Sequence, residues 1–292
     1  MSKKTNFRPG NVTIGVAIAC YNRRKTTIAC LNSLHRQYGM STEWNLVVYL
    51  LDDASTDGTR EQVLREFPET RVIPGSGSMF WGGGMHVSMA AAIADGVDYI
   101  LMLNDDVELY TDAIHKSLYA SRNASLLKSG LEALIVGAVV DPLTSEITYS
   151  GFRRRNKWDP TKLYAVPPKE KELIECDTMN GNFVLIPRAI YSALGPVDRK
   201  FVHQLGDIDY GYRAVRAGYK VYLMEHPIGT CEPNNRKVAS NVKGMSISAR
   251  WRKINQPLAL PLESWATFMW RWGKGYGIFR LLGIYTKRLL GK

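Results

Sequence analysis

The 292-residue sequence predicts an α/β fold: a mixed, mostly parallel sheet flanked by helices, followed by an amphipathic C-terminal extension. Three observations carry that expectation. Short apolar runs of strand-like composition alternate with helix-length segments through the first part of the chain, the pattern of parallel strands joined by crossover helices. Two of these runs end abruptly in adjacent carboxylates, Asp52-Asp53 and Asp105-Asp106, at the strand edge where open α/β sheets bind ligands. The charge is also unevenly placed. Residues 236–292 hold twelve Lys and Arg against one acid, Glu263, and so carry the whole excess of +11, while the remainder is neutral.

Val12 to Ala19 reads as the first buried strand, ending in Cys20-Tyr21-Asn22 and followed by Arg23-Arg24-Lys25 and a helically spaced segment from Thr26 to Tyr38. Asn45 to Leu51 is the second strand. It closes in Asp52-Asp53-Ala54-Ser55-Thr56-Asp57-Gly58-Thr59, turn and N-cap residues for a helix to about Phe67. Arg71 to Pro74 is a third, short strand. A glycine-rich loop, Gly75 to Gly84, then leads into an Ala-rich helix ending near Ala94. Tyr99 to Leu103 is the fourth strand, with Asn104-Asp105-Asp106 at its carboxyl edge.

Two carboxylates side by side repel each other unless a cation or hydrogen-bond donors hold them. A divalent metal carrying a diphosphate suits such a pair, because Mg²⁺ or Mn²⁺ takes hard oxygen ligands and shares them with phosphates. A loop or helix-capping pair is the alternative for either acid pair taken alone. Two pairs facing one crevice favour the metal–nucleotide reading and a nucleotide-binding, Rossmann-like sheet.

In the second half, Leu134 to Val139 reads as a strand and Ile147 to Phe152 as a hairpin arm. Arg153-Arg154-Arg155 is a solvated basic loop, and Trp158 to Glu172, with three prolines, is irregular. Asp177 to Asn182 forms a turn before the apolar Phe183 to Ile186. Asp207 opens a helix through Ala217, at the end where the macrodipole favours acids. Tyr219 to Met224 is a further strand, running into Glu225-His226. In the extension, Trp265, Phe268, Met269, Trp272, Tyr276 and Phe279 share one helical face, and Arg271 and Lys274 fall away from it. That face either packs on the body or lies in an anionic membrane interface. Gly273, Gly275 and Gly277 are expected to split the helix.

Hydrophobic content of 45% and charged content of 22% describe an ordinary soluble globular protein. Met1 to Gly10 lacks the apolar stretch of a secretory signal, and no apolar run has the length of a membrane span. Cys20, Cys30, Cys176 and Cys231 show no CxxC pairing and read as reduced cytosolic thiols. A neutral body with a basic tail points to an anionic surface met by the tail and not to nucleic acid.

Ile18 to Arg23, Leu51 to Thr59 and Leu103 to Asp106, with their spacing, resemble the family 2 nucleotide-sugar glycosyltransferases of GT-A fold, in particular a rhamnosyltransferase-like branch of surface-polysaccharide synthesis. The resemblance covers roughly Val12 to Cys231. It implies a catalytic domain at 1–235, with a nucleotide half at about 12–110 and an acceptor half at about 111–235; beyond it, the charge and aromatic residues of 236–292 read as a basic, membrane-facing extension. It implies that Ala19 and Tyr21 line the nucleotide pocket, that Asp53 bonds the uracil or thymine ring, and that Trp81 and Gly82 meet the sugar diphosphate. Asp105, Asn180 and Gly181 would contact the donor sugar. Asp106 would be the main ligand of Mn²⁺ or Mg²⁺, with Asn104 standing where the family's first carboxylate is usual. His226 is a second candidate ligand, although Cys231 lies nearer the family's position. Asp207 would be the catalytic base, with Gly206 replacing the usual Glu, and Asp209 would support the base or the acceptor.

The implied activity is inverting transfer from a UDP- or dTDP-sugar to a hydroxyl of a lipid-linked bacterial-type surface glycan, at the inner face of the membrane. Two other readings are an inactive nucleotide-sugar-binding protein and a sugar nucleotidyltransferase. The first would lack a competent base. The second requires a Gly-rich, Lys/Arg-bearing phosphate loop after the first strand, where Cys20-Tyr21-Asn22 stands.

Overall fold

A computed structural model describes residues 12–40, 42–127, 132–156, 158–233 and 244–290. Met1 to Gly10, the domain boundary expected at 235/236, and Arg236, Lys237, Lys243 and Lys292 of the basic tail lie outside the described residues.

The first part of the chain alternates as expected: β1 (Val12–Cys20), α1 (Arg24–His35), β2 (Trp44–Asp52), α2 (Thr59–Glu66), β3 (Arg71–Pro74), α3 (Phe80–Ala94) and β4 (Tyr99–Leu103). β1 pairs in parallel with β2 on one side and with β4 on the other, and β3 continues beyond β2. The strand order therefore reverses at β1, and the crevice beyond the carboxyl ends of β1 and β4 is the switch point where such sheets take ligands.

The chain continues through β5 (Glu108–Leu109), α4 (Ala113–Leu127), β6 (Ala133–Val136), β7 (Val139–Val140), β8 (Ile147–Tyr149), β9 (Gly151–Arg154), β10 (Leu163–Ala165) and β11 (Ile174–Glu175). β12 (Thr178–Met179), β13 (Phe183–Pro187), α5 (Arg188–Leu194), α6 (Gly206–Arg216), β14 (Lys220–Leu223) and β15 (Gly229–Thr230) follow. The main sheet has the order β11-β14-β6-β13-β4-β1-β2-β3. It is parallel except where β13 meets β4 and β6 and where β11 meets β14. Two smaller sheets, β10-β9-β12 and β5-β15-β7-β8, complete the strands.

Successive strand residues point to opposite faces, and both faces are buried. Ile14, Val16 and Ile18 of β1 pack with Leu31 and Leu34 of α1 and Ile114 of α4. Ala17, Met102 of β4 and Val184 of β13 pack on the other face with Met85 and Met89 of α3 and Tyr210 of α6. Burial on both sides is why the central strands read as unbroken apolar runs. Each fully buried Leu or Ile contributes about 1.5–3 kcal/mol, and this three-layer core fixes the carboxyl edge on which the site is built.

Several sequence expectations need correction. Trp81-Gly82-Gly83-Gly84 is not loop: α3 begins at Phe80 and contains these residues. A side chain at Gly82 would overlap the carbonyl oxygen of Phe201, and a Cβ at Gly84 would lie 2.6 Å from that of Ala19, so close packing, not flexibility, explains both glycines. The strand expected from Leu134 to Val139 is two strands broken at Gly137, where a Cβ would strike Ile228 and Phe183. The stretch from Trp158 to Glu172 contains the short strand β10.

The extension forms α7 (Ile247–Ile254), α8 (Leu262–Trp272) and α9 (Lys274–Leu289). The break falls at Gly273, as expected, and a Cβ on Gly273 would approach the Met269 carbonyl oxygen to 2.7 Å. The aromatic stripe, however, does not act as one surface. Phe268 and Met269 are buried with Phe201, Leu205 and Tyr212 of the body, and Trp265 and Trp272 pack against that cluster. Tyr276 and Phe279 remain exposed. Core packing thus claims the first half of the stripe. No helix among the described residues is long and apolar enough to cross a membrane.

Candidate active site

The turn after β1 is stitched to the turn after β2. Asn22 donates its backbone N–H to Ser55 Oγ (2.9 Å) and accepts from the N–H of Thr56 through Oδ1 (2.7 Å), while the Arg24 N–H donates to Asp57 Oδ2 (3.0 Å). Asp57 also caps α2 by accepting from the Thr59 N–H at 3.0 Å. These bonds set Tyr21 outward, 53% exposed, and Arg23 across the sheet edge toward β4. Ala19 is half-buried under Gly84 of α3.

Asp53 is buried, and its two carboxylate oxygens accept from the backbone N–H groups of Gly77 (2.7 Å), Met79 (2.9 Å) and Phe80 (3.0 Å). No side chain of α3's own N-cap makes a capping bond, so Asp53 satisfies the orphan donors of that helix from a neighbouring strand.

Asp105 and Asp106 share one cation. Arg23 donates through one terminal nitrogen to Asp105 Oδ1 (3.1 Å) and through the other to Asp106 Oδ2 (2.6 Å). Thr27 Oγ1, on the first turn of α1, donates to Asp105 Oδ2 at 3.2 Å. Burial pushes the Asp105 carboxyl up to about 7, with Arg23 pulling it back and Asp106 adding to the rise. Asp106 is left with one oxygen, Oδ1, that is buried and has no hydrogen-bond partner. An ionised oxygen without a donor is costly, and a divalent cation would satisfy it. The donor set fits a hard cation that draws its remaining ligands from phosphate.

Asn104 takes no part in that pair. Its Oδ1 accepts from the Trp81 indole N–H at 2.7 Å, and its Nδ2 donates to Asn182 Oδ1. The amide therefore ties α3 to the start of β13, which a carboxylate could not do because it has no donor. Trp81 in turn packs its ring edge over Gly181, where a Cβ would stand 2.6 Å away, and beside Gly206. The Gly181 N–H donates to Asp207 Oδ2 (3.0 Å), and the Ile208 N–H donates to Oδ1 (2.8 Å). A continuous path, Asn104–Trp81–Gly181–Asp207, thus joins the acid pair to the first turn of α6. Burial raises the Asp207 pKa, and the two amide donors moderate the rise. Asn180 lies at this turn, its Oδ1 accepting from the Asn182 N–H at 3.0 Å.

Two of the sequence-predicted residues stand apart from the contacts described so far. His226 is exposed, and among the described residues no group of three or more His, Cys, Asp and Glu is placed to hold a metal. Cys231, buried beside Asn182 and coupled to Asp106, holds the place closer to the acid pair. Asp209 is 0% exposed and touches no open space. It accepts from Arg213 Nε (3.0 Å), from Arg271 through both oxygens (3.1 Å each) and from the Trp272 indole N–H (2.9 Å). One residue later than Asp207 would already turn away on a helix; two residues later, Asp209 faces the protein interior.

Arg23, Thr27 and Asn182 are site residues that sequence reasoning missed. Their partners lie about as far along the chain as an entire nucleotide half, beyond the reach of any local pattern. Backbone strain was equally invisible. Asn22 (φ 50°), Ala54 (φ 60°), Phe80 (φ 52°) and Leu205 (φ 69°) are non-glycine residues in the left-handed region, and each stands next to a site segment. For a bulky Phe or Leu such a conformation costs roughly 1–3 kcal/mol and persists only where surrounding structure imposes it.

Residues 15–124 match the glycosyl transferase family 2 model. The N-acetylglucosaminyl-diphospho-decaprenol L-rhamnosyltransferases of two Mycobacterium tuberculosis strains, CDC 1551 / Oshkosh and H37Rv, are each 24% identical to this chain over 213 residues, 63% of this chain and 66% of theirs. The chain therefore spans just under two thirds of the relatives it matches. The crystal structure of S. aureus TarS 1-349 in complex with UDP superposes with a TM-score of 0.53 at 16% identity, covering 75% of this chain and 59% of that one. That likeness is one of fold, a mixed α/β sheet of GT-A type flanked by helices. Residues 15–124 are a glycosyl transferase family 2 domain, and they supply the stitched turns, Arg23 and the acid pair of the site.

Proposed function

We propose that the chain is an inverting glycosyltransferase that moves a sugar from a UDP- or dTDP-sugar to a hydroxyl of a lipid-linked surface glycan. The observation that carries this reading is the path Asn104–Trp81–Gly181–Asp207, which puts a burial-raised carboxylate at the same sheet edge as the Asp105–Asp106 pair. In this reading Asp207 accepts the proton of the acceptor hydroxyl as that oxygen bonds the anomeric carbon. The bond from that carbon to the diphosphate breaks, and its electron pair stays on the departing phosphate oxygen. A carboxylate whose pKa is raised is a stronger base for this task.

Tyr21, Ala19 and Asp53 border the nucleotide. Trp81, Gly82, Asn180 and Gly181 border the donor sugar with Asp105, and Trp81 offers its indole face. Asp106, with Asp105 beside it, would hold Mn²⁺ or Mg²⁺, which stabilises the charge that builds on the leaving diphosphate. Arg23 supplies positive charge at the same place in the donor-free chain. The mycobacterial relatives' names support a lipid-linked N-acetylglucosamine acceptor and a rhamnosyl donor, and the UDP bound to TarS supports a pyrimidine nucleotide.

The catalytic unit comprises a nucleotide half, about 12–110, and an acceptor half, about 111–235, with 236–292 as its basic extension. That extension meets the anionic inner face of the membrane through α9, where Ile278, Phe279 and Leu282 are exposed and the helix carries no acidic residue. Exposed apolar area flanked by Lys274 and Lys287 is what an interfacial helix requires.

Calorimetric titration of UDP, dTDP and GDP, with and without Mn²⁺, tests the nucleotide site. It is followed by transfer assays with UDP-galactose, UDP-N-acetylglucosamine and dTDP-rhamnose on N-acetylglucosaminyl-diphospho-decaprenol. Metal-dependent binding of one pyrimidine diphosphate and transfer from its sugar are expected. No nucleotide binding under any condition would end the reading. Binding without transfer from any donor would favour the inactive binding protein.

A further inference from the structure

The extension reaches the body through three arginine–carboxylate contacts. Arg271 of α8 bonds Asp209 on α6 and Asp198 in the loop before it, and Arg280 of α9 lies 2.8 Å from Asp159. The α6 carboxylate is the deepest of the three. Its side chain has no exposure, and it carries four donor contacts from Arg213, Arg271 and Trp272. Around it, Phe268 and Met269 of α8 bury themselves against Phe201, Leu205 and Tyr212. Arg216 of α6 sits over the Trp272 ring at 4.5 Å, which closes the contact from the other side.

Asp209 lies two residues beyond Asp207 in the same helical turn, and the turn opens on the strained Leu205 at φ 69°. No side chain caps α6. Asp207 itself is fastened only through two backbone amides. Besides the Thr178 hydroxyl, which donates to the Ile208 carbonyl (2.8 Å), what holds this first turn is the carboxylate it buries, and two of that carboxylate's three donor residues come from the extension. The loop that Arg271 grips at Asp198 also delivers the Val202 carbonyl to the Gly82 N–H (2.7 Å), next to Trp81 in the chain.

We infer that Arg271 and Trp272 are positioning residues for the transfer reaction: α8 latches the first turn of α6 through Asp209 and so holds Asp207 in place against Gly181. The extension is then part of the acceptor side of the site as well as a surface element. This rests on the reading of Asp207 as the base. A displacement of about 1 Å at a reacting group is worth up to about 100-fold in rate, so losing the latch should be read in kcat.

The test uses the full chain carrying Arg271→Met, Arg271→Lys or Trp272→Phe, with Asp207→Asn as reference. UDP affinity in Mn²⁺, kcat and KM in the transfer assay above, and amide hydrogen exchange across 205–212 are measured on each. Arg271→Met should lower kcat about 10- to 100-fold while UDP affinity and donor KM stay within about twofold, and α6 amides should exchange faster than those of β1 and β4. Arg271→Lys should recover part of the loss, and Trp272→Phe should show the same kcat-only pattern in smaller degree. If Arg271→Met does not fold, Trp272→Phe, which removes the indole N–H bond to Asp209 and leaves a smaller aromatic ring, decides the matter alone. Full kcat in a folded variant, or equal loss of UDP binding and kcat, would overturn the latch. Full activity of Asp207→Asn would instead overturn the base assignment, with the exchange of α6 amides still reporting whether the latch exists.

Discussion

Two pairs of aspartates, each within one short stretch, end in opposite circumstances. Asp105 and Asp106 share a single arginine that is itself about one third exposed, and one oxygen of Asp106 has no partner. Asp207 and Asp209 are divided between two environments: two backbone amides for the first, and a sealed set of arginine and indole donors for the second. The first pair is electrostatically unfinished and open to an incoming cation. In the second pair, one carboxylate is sealed by side-chain donors, while its neighbour is held by backbone amides alone. Adjacent acids in a sequence therefore do not share a role by default; the donors that reach each oxygen assign it.

The sharpest way to break this comparison is to neutralise the free member of the second pair. Asp207→Asn should lower transfer about 10²- to 10⁴-fold with UDP binding retained, measured by initial rates and calorimetry. Its structural neighbour should behave differently. Asp209→Ala strands two arginines in a buried site and should cost about 3–5 kcal/mol of stability, read from denaturant midpoints. The first pair should respond in binding. Asp106→Ala should abolish Mn²⁺-dependent strengthening of UDP binding, whereas Arg23→Gln removes a competitor for the same oxygens. The latter should tighten Mn²⁺ binding to the nucleotide-free protein about tenfold, measured by the electron paramagnetic resonance of free Mn²⁺.

The smallest effect is in pH. Asp207 has a raised pKa when folded, so the folded state holds a proton that the unfolded state has lost between the ordinary carboxylate value, about 4, and the raised one. Over that window wild-type stability should fall as pH rises relative to Asp207→Asn, and the difference should be flat below it. The acid limb of kcat should likewise lie above the ordinary carboxylate range.

Much of the fold was legible because its strands are buried on both faces. Val12–Cys20, Trp44–Asp52 and Tyr99–Leu103 announce themselves as apolar runs, and Asp53, Asp105 and Asp106 stand where the runs stop. What local pattern could not supply was anything decided by a distant partner. Gly82 reads as loop because the Phe201 carbonyl that forbids a side chain there lies far along the chain. Arg23 carries no local sign of its role because its carboxylates follow only after three more strands. Phe268 and Phe279 occupy one stripe of equal hydrophobicity, yet one is buried and the other exposed. Periodicity identifies a face but not what covers it.

The latch at Asp209 also imposes an order of assembly. Proteins are made from the N-terminus, and segments fold as they emerge. The stitched turns and the Arg23–acid contacts join residues that all lie before α4 in the chain. Asp209, by contrast, waits for Arg271 and Trp272, 62 and 63 residues later. On the proposed reading, the nascent chain would gather its nucleotide-side contacts well before the first turn of α6 is locked, so a half-made polypeptide would hold a donor without the means to spend it.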